Sequence, residues 1–165
     1  MPTRHAAARA RTPPEARGSA PFALLGAFVA LVLAGPPAHA QTLGEVVLVS
    51  AIGSQLHGVS ALPSGSLRAE GPGAAALIAR LPDAANWTDW EVFTARGIVM
   101  ALENALVHSV ETELMVAGIG RVSRDESTFG DERHVRFVFE GEGRRVLLHV
   151  IRGGDSLVWL LARAR

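Results

Sequence analysis

The segment from residue 134 to 162 constrains the fold of this chain more than any other. Three apolar-rich runs, His134–Glu140, Arg145–Arg152 and Ser156–Ala162, are separated by short turn sequences. Glycine tolerates the positive φ that two-residue hairpin turns need. A turn centred on Glu142-Gly143 pairs Glu140 with Arg145, Phe139 with Val146, Phe137 with Leu148 and Val135 with Val150. A turn centred on Gly153-Gly154 pairs Arg152 with Asp155, Val150 with Leu157, Leu148 with Trp159 and Val146 with Leu161. Both registers collect Val135, Phe137, Phe139, Val146, Leu148, Val150, Leu157, Trp159 and Leu161 on one face. A slip of one residue would turn all of them over, so the agreement specifies an antiparallel sheet with one apolar side.

The opposite side carries His134, Arg136, Val138, Glu140, Arg145, Leu147, His149, Ile151, Ser156, Val158 and Leu160. A face open to water alternates more cleanly than this mixture. Something therefore covers it: first of all the chain's own N-terminal half, otherwise a partner chain or a ligand.

Upstream, Thr88-Asp89-Trp90-Glu91 fits a capping box, in which the Thr hydroxyl and the Glu carboxylate satisfy each other's backbone amides. It predicts a helix over residues 87–110. Val92, Ala95, Val99, Leu102, Leu106 and Val110 form its apolar stripe, and Arg96, Glu103 and Asn104 its wetter side. Glu113–Val122 reads as the first strand of a meander over 113–163, with Gly118 and Gly120 marking a bulge or a close backbone approach. Ser123–Asp131 reads as a polar loop. Residues 41–86 are loosely patterned. Glu45–Ile52 is a strand or a short buried helix, Gly53–Gly73 is rich in turn signals, Ser66–Glu70 fits a short edge strand, and Ala74–Leu81 is either helix or strand. The fold class is α+β: one long helix packed on an antiparallel β-meander of four or more strands, preceded by an irregular N-terminal half.

Residues 1–40 read as an address rather than as fold. Arg4, Arg9, Arg11 and Arg17 lead into the apolar run Phe22–Gly35, and Ala38-His39-Ala40 offers small residues where a signal peptidase reads. The run falls short of the roughly 20 residues of a spanning helix and ends in Gly35-Pro36-Pro37. The expectation is a cleaved secretory signal, a single domain over 41–165, no stable membrane anchor after cleavage, and a periplasmic or extracellular destination. The absence of lysine and the abundance of Ala, Gly and Arg match a GC-rich bacterial gene.

The chain has no cysteine. That removes disulfides, thiolate nucleophiles and Cys-based zinc or haem sites. Its 16 basic and 16 acidic residues balance, and the leader takes basic residues with it, so the remaining domain is mildly acidic and lacks the basic surface of a nucleic-acid binder.

The site candidates are His134, Arg136, His149 and Arg145. His134 and His149 fall diagonally on one face of adjacent strands, within reach of each other. Imidazoles so placed serve metal or proton chemistry when further ligands join them, but no carboxylate is evident beside them; Glu140 lies too far along its strand. Arg136 and Arg145 suit a carboxylate or phosphate, although a Glu140–Arg145 surface pair is the simpler role for Arg145. His57 stands among Ser54, Ser60 and Ser64 without a nucleophile-elbow pattern. Gly118-Ile119-Gly120 lacks the third glycine and the following helix of a dinucleotide fingerprint. Asn86-Trp87-Thr88 is a glycosylation sequon by pattern only.

No catalytic residue, metal or cofactor is implied. The leading expectation is a non-catalytic binding or accessory module whose partner is a small molecule or a protein. The alternatives are a small enzyme with a histidine site on the second sheet face, or a dimerising envelope protein.

Overall fold

The computed structural model describes residues 45–165, so the leader expected at 1–40 lies outside the described residues. In chain order the elements are β1 (Val47–Ser50), β2 (Leu67–Glu70), α1 (Pro72–Ile78), a 3-10 turn (Ala84–Asn86), β3 (Trp87–Arg96), α2 (Val99–Val116), β4 (Gly120–Phe129), β5 (Glu132–Gly141), β6 (Arg144–Gly153) and β7 (Ser156–Ala164). The protein is an α+β fold: one seven-stranded sheet in the order β1-β2-β3-β7-β6-β5-β4, antiparallel throughout, with two helices. The chain leaves β3, crosses one face as α2, enters the far edge as β4, and meanders back until β7 pairs with β3.

The β5–β6 hairpin has the expected register, Glu140 opposite Arg145 and Val135 opposite Val150. Its turn residues Glu142 and Gly143 sit at φ 50° and 68°, the left-handed pair of a type I′ turn. The β6–β7 hairpin differs from expectation by two residues: Val150 faces Trp159 and Leu148 faces Leu161. The left-handed residue of this turn is Gly154, at φ 56°. Gly153 remains in the ladder opposite Ser156, and the turn centres on Gly154-Asp155. An offset of two preserves the side-chain face, so every apolar residue assigned to the first face lies in one buried cluster.

Helix α2 covers that face with Leu106, Val110 and Leu114, flanked by Val99, Leu102 and Val107. It starts at Val99, twelve residues after the start of the predicted 87–110 span. Residues 87–96 form β3 instead, because this strand lies between β2 and β7 and is buried on both sides from Glu91 to Ala95. A strand buried on both faces is largely apolar, so Val92 and Ala95 of this strand also match the spacing of a helical stripe. An extra residue between Thr88 and Glu91 makes a bulge, with Asp89 at φ 51°. Gly97, at φ 148°, separates strand from helix. Glu103 belongs to the buried side of α2, not the wet one, because Arg152 reaches it from β6, with Nε 3.3 Å from Oε2.

The end of α2 explains one of the two glycines. Ile119 N–H donates to the Leu114 carbonyl (2.8 Å) and Gly118 N–H to the Met115 carbonyl (3.0 Å), with Gly118 at φ 74°. This is a Schellman stop, and the buried Leu114 and Ile119 supply its apolar contact. Residues 113–116 are thus helix rather than strand. The polar run Ser123–Phe129 is part of β4, an edge strand whose side chains are mostly exposed; its charges guard an edge that would otherwise template further pairing. Val122 is the extra residue of a second bulge.

The N-terminal half is more regular than its composition implies. Val47–Ser50 is an edge strand, Leu67–Glu70 an inner strand between β1 and β3, and Pro72–Ile78 a helix. Helix α1 and the turn after it cover part of the second sheet face, with Ala74, Leu77 and Leu81 against Val92, Ile151, Val158 and Leu160. Trp87 packs on Val138, Leu147 and Ala162 of the same face. Among the described residues no helix is long and apolar enough to cross a membrane.

Leu106 is fully buried between α2 and the sheet. Leu106→Ala is expected to cost about 2–5 kcal/mol of unfolding free energy, read as a lower urea midpoint with an unchanged slope.

Candidate functional site

On the second sheet face, two rows cross the outer strands. One runs Ser127–His134–Ile151 and the next Asp125–Arg136–His149–Leu160, from β4 through β5 and β6. The cover from α1 reaches Ile151 and Leu160 through Leu77 and Leu81. Beyond Leu81 a cavity of about 160 Å³ opens, lined by Arg80, Leu81, Pro82, Asp125, Glu126, Ser127, Phe129, His134, Arg136 and His149. Because Asp125, Glu126 and Ser127 are exposed, its mouth lies at the β4 edge.

The two histidines are each 3% exposed. His134 Nδ1 lies 3.1 Å from His149 Nε2, the rings meeting edge to face at 66°. Phe129 abuts His134 at 89°, with centroids 5.0 Å apart. Glu132 Oε2 is 3.5 Å from His134 Nε2, without hydrogen-bond geometry. The two rings are joined by one hydrogen bond, in which one nitrogen donates and the other accepts according to tautomer. Burial drives the His149 pKa down to about 3, with the charges of His134 and Arg136 acting in the same direction. At neutral pH this ring is uncharged.

Arg136 is held by Asp83, whose Oδ2 accepts from Nη2 at 2.7 Å and from Trp87 Nε1 at 3.2 Å. Asp83 itself is in the left-handed region, φ 64°, ahead of the 3-10 turn. The Nε–H of Arg136 is buried and has no acceptor. A buried donor without a protein acceptor costs about 1–3 kcal/mol. Arg145 lies elsewhere. It pairs with Glu140 at 3.8 Å, with its guanidinium 5.8 Å above the Trp87 ring. The structure thus brings His134, Arg136 and His149 into one cavity and leaves Arg145 outside it.

Glu132 was missed because the strand extends two residues before His134, placing Glu132 on the same face one pleat away. The period-2 rule applied from His134 backwards finds it. Among the described residues no group of three His, Asp or Glu side chains is arranged to hold a metal.

His57 belongs to a different cluster. The Ser54 hydroxyl donates to Glu91 Oε2 and accepts from His57 N–H at 3.1 Å, while His57 Nε2 lies 2.8 Å from the Asp89 carbonyl. The ring never meets the hydroxyl, so no Ser–His relay exists here. The contacts pin the Gly53–Gly65 loop to the bulge of β3. Burial lowers the His57 pKa as well.

Comparison with known proteins finds no matching family model, no matching curated protein and no matching solved structure.

The depressed His149 pKa has a definite sign. Between the ordinary pKa of 6.5 and about 3 the unfolded chain binds a proton that the folded ring refuses. Stability is unaffected above pH 6.5 and falls as pH drops, at up to about 1.4 kcal/mol per pH unit. His57 and the carboxylates titrate too, so the contrast is read by comparison: His149→Gln should lose less stability between pH 7 and pH 5 than the unaltered protein, in urea melts at both pH values.

Proposed function

We propose that this protein is a non-catalytic, exported binding module and that the cavity beside His134 and His149 is its site. One observation carries the reading: an open cavity lined by a buried imidazole pair and by an arginine that Asp83 holds in place. Apolar clefts with a few convergent polar groups are the usual form of a small-molecule site. The chemistry favours binding over catalysis. General acid–base catalysis works best with a pKa near the operating pH, whereas His149 stays neutral through the physiological range. It can donate and accept hydrogen bonds but does not hold a proton to deliver.

The blocking variant is Ser127→Trp, which fills the mouth from an exposed edge position. In a small-fragment screen by NMR, binders should shift the His134, His149 and Phe129 signals of the unaltered protein and lose that effect in Ser127→Trp. If no fragment of any class perturbs these signals, the binding reading falls.

Export rests on the order of basic leader, apolar run and Ala38-His39-Ala40. The dimerising alternative rests on the open edge of β1, where Val47, Leu48 and Val49 are exposed. Native mass spectrometry of protein recovered from an expressing bacterial host checks both. We expect a monomer beginning at Gln41; an uncleaved leader removes the export reading, and a dimer favours the β1 edge as an interface.

A further inference from the structure

Building on the cavity's role as a binding site, we propose that its ligand is a small monocarboxylate with an apolar body, about the size of benzoate. The acceptor requirement comes from Arg136. A guanidinium donates and never accepts, and its Nε–H is buried without a partner. Asp83 holds the far end of the same group through Nη2 at 2.7 Å. The guanidinium that lines the cavity is therefore held in place before a ligand arrives, which spares the loss of side-chain freedom that usually accompanies binding. A ligand oxygen can accept from it, as no donor or apolar group can.

The sign of the ligand follows from the surrounding charges. Arg136 lines the cavity, and Asp83 meets it at Nη2. Of the lining carboxylates, Glu126 is already engaged by Arg124 and Arg133, and Asp125 stands on the exposed edge. The His149 ring adds hydrogen-bonding capacity and no charge. An ammonium ligand would sit against the Arg136 cation and could not accept from it, and a wholly apolar ligand would leave the guanidinium without an acceptor from the ligand.

The body of the ligand follows from the rest of the lining. Leu81, Pro82 and the Phe129 ring form the apolar wall. A cavity of about 150 Å³ is large enough to hold benzene, and the cavity here is about 160 Å³ and open at one side. One six-membered ring or a branched chain of similar bulk fits. A nucleotide or a sugar chain exceeds it.

The test uses the purified protein and a matched series: benzoate, cyclohexanecarboxylate, benzamide, benzyl alcohol and benzylamine. Binding is followed by calorimetry and by the imidazole resonances of His134 and His149. Both carboxylates should bind saturably, benzamide at least fivefold more weakly, and benzylamine not at all. Arg136→Lys keeps the charge but removes the planar Nε–H, and should weaken benzoate at least tenfold while its thermal unfolding stays cooperative. Benzylamine or benzyl alcohol binding as tightly as benzoate would overturn the carboxylate assignment and leave the binding site standing. So would a folded Arg136→Lys with unchanged benzoate affinity. Silence across the whole series and across the wider fragment screen would overturn both. Should Arg136→Lys fail to fold, the ligand series on the unaltered protein decides alone.

Discussion

Strands β6 and β7 are buried along most of their length on both faces. A ladder in that position can tolerate neither a slip nor an uncovered side, since either exposes a full row of apolar side chains. The rest of the molecule is arranged to meet this demand. Helix α2 seals one face, where Phe93 stacks on Trp159 at 5.7 Å in the middle of the core. Helix α1, Leu81 and Trp87 cover the other. The polar residues caught on the covered second face must then satisfy one another. His134 and His149 do so through their shared hydrogen bond, and Arg136 does so in part through Asp83.

The Gly53–Gly65 loop performs a related task for a chain without cysteine. Val59 from this loop enters the α2 core. Glu113 of α2 accepts from the amides of Ser60 and Ala61 at 2.5 and 3.1 Å, and Ser109 donates to the Ala61 carbonyl. On its other side the loop is tied to β3 by Ser54, His57 and Glu91. Helix and sheet are thereby clamped together by hydrogen bonds across long sequence separations, the role a disulfide often fills in exported domains. Gly53 is required in this clamp: a Cβ there would meet the Val59 carbonyl oxygen at 2.5 Å.

The features of the sequence that were legible are those with a strict period. The alternation from Val135 to Leu161 specifies its face because a two-residue error in the β6–β7 turn leaves side-chain direction unchanged. The diagonal placement of His134 and His149 follows from the Glu142-Gly143 turn alone. Local patterns failed where the tertiary environment outweighed them. Thr88–Glu91 has the residues of a capping box, yet the chain there lies between two strands and is buried on both sides. Ser123–Phe129 is polar because it is an edge, not because it is a loop. Gly118 is a helix stop, a signal visible only once α2 is extended to Val116. The cavity was not legible at all. Its apolar lip, Leu81 and Pro82, comes from a segment that sequence alone left open between helix and strand.

The site exists because α1 is short. Seven residues of helix span about 10 Å at 1.5 Å per residue. The second face from β3 to β4 spans four strand spacings, about 19 Å at 4.8 Å each. Whatever its direction, such a helix cannot roof the whole face, and the uncovered part falls over β5 and β4. The residues at that boundary are not apolar, as continued packing would require, but His134, Arg136 and Asp125, beside the ring of Phe129. Dielectric conditions there are set by the packed side, and access by the open side. Burial keeps the His149 ring uncharged, and a proton there would place a second cation next to Arg136. Arg136, which lines the cavity, does not titrate in the physiological range. On the reading proposed above, a cavity of this construction favours a ligand that brings an oxygen acceptor to Arg136 and an apolar body to Leu81, Pro82 and Phe129.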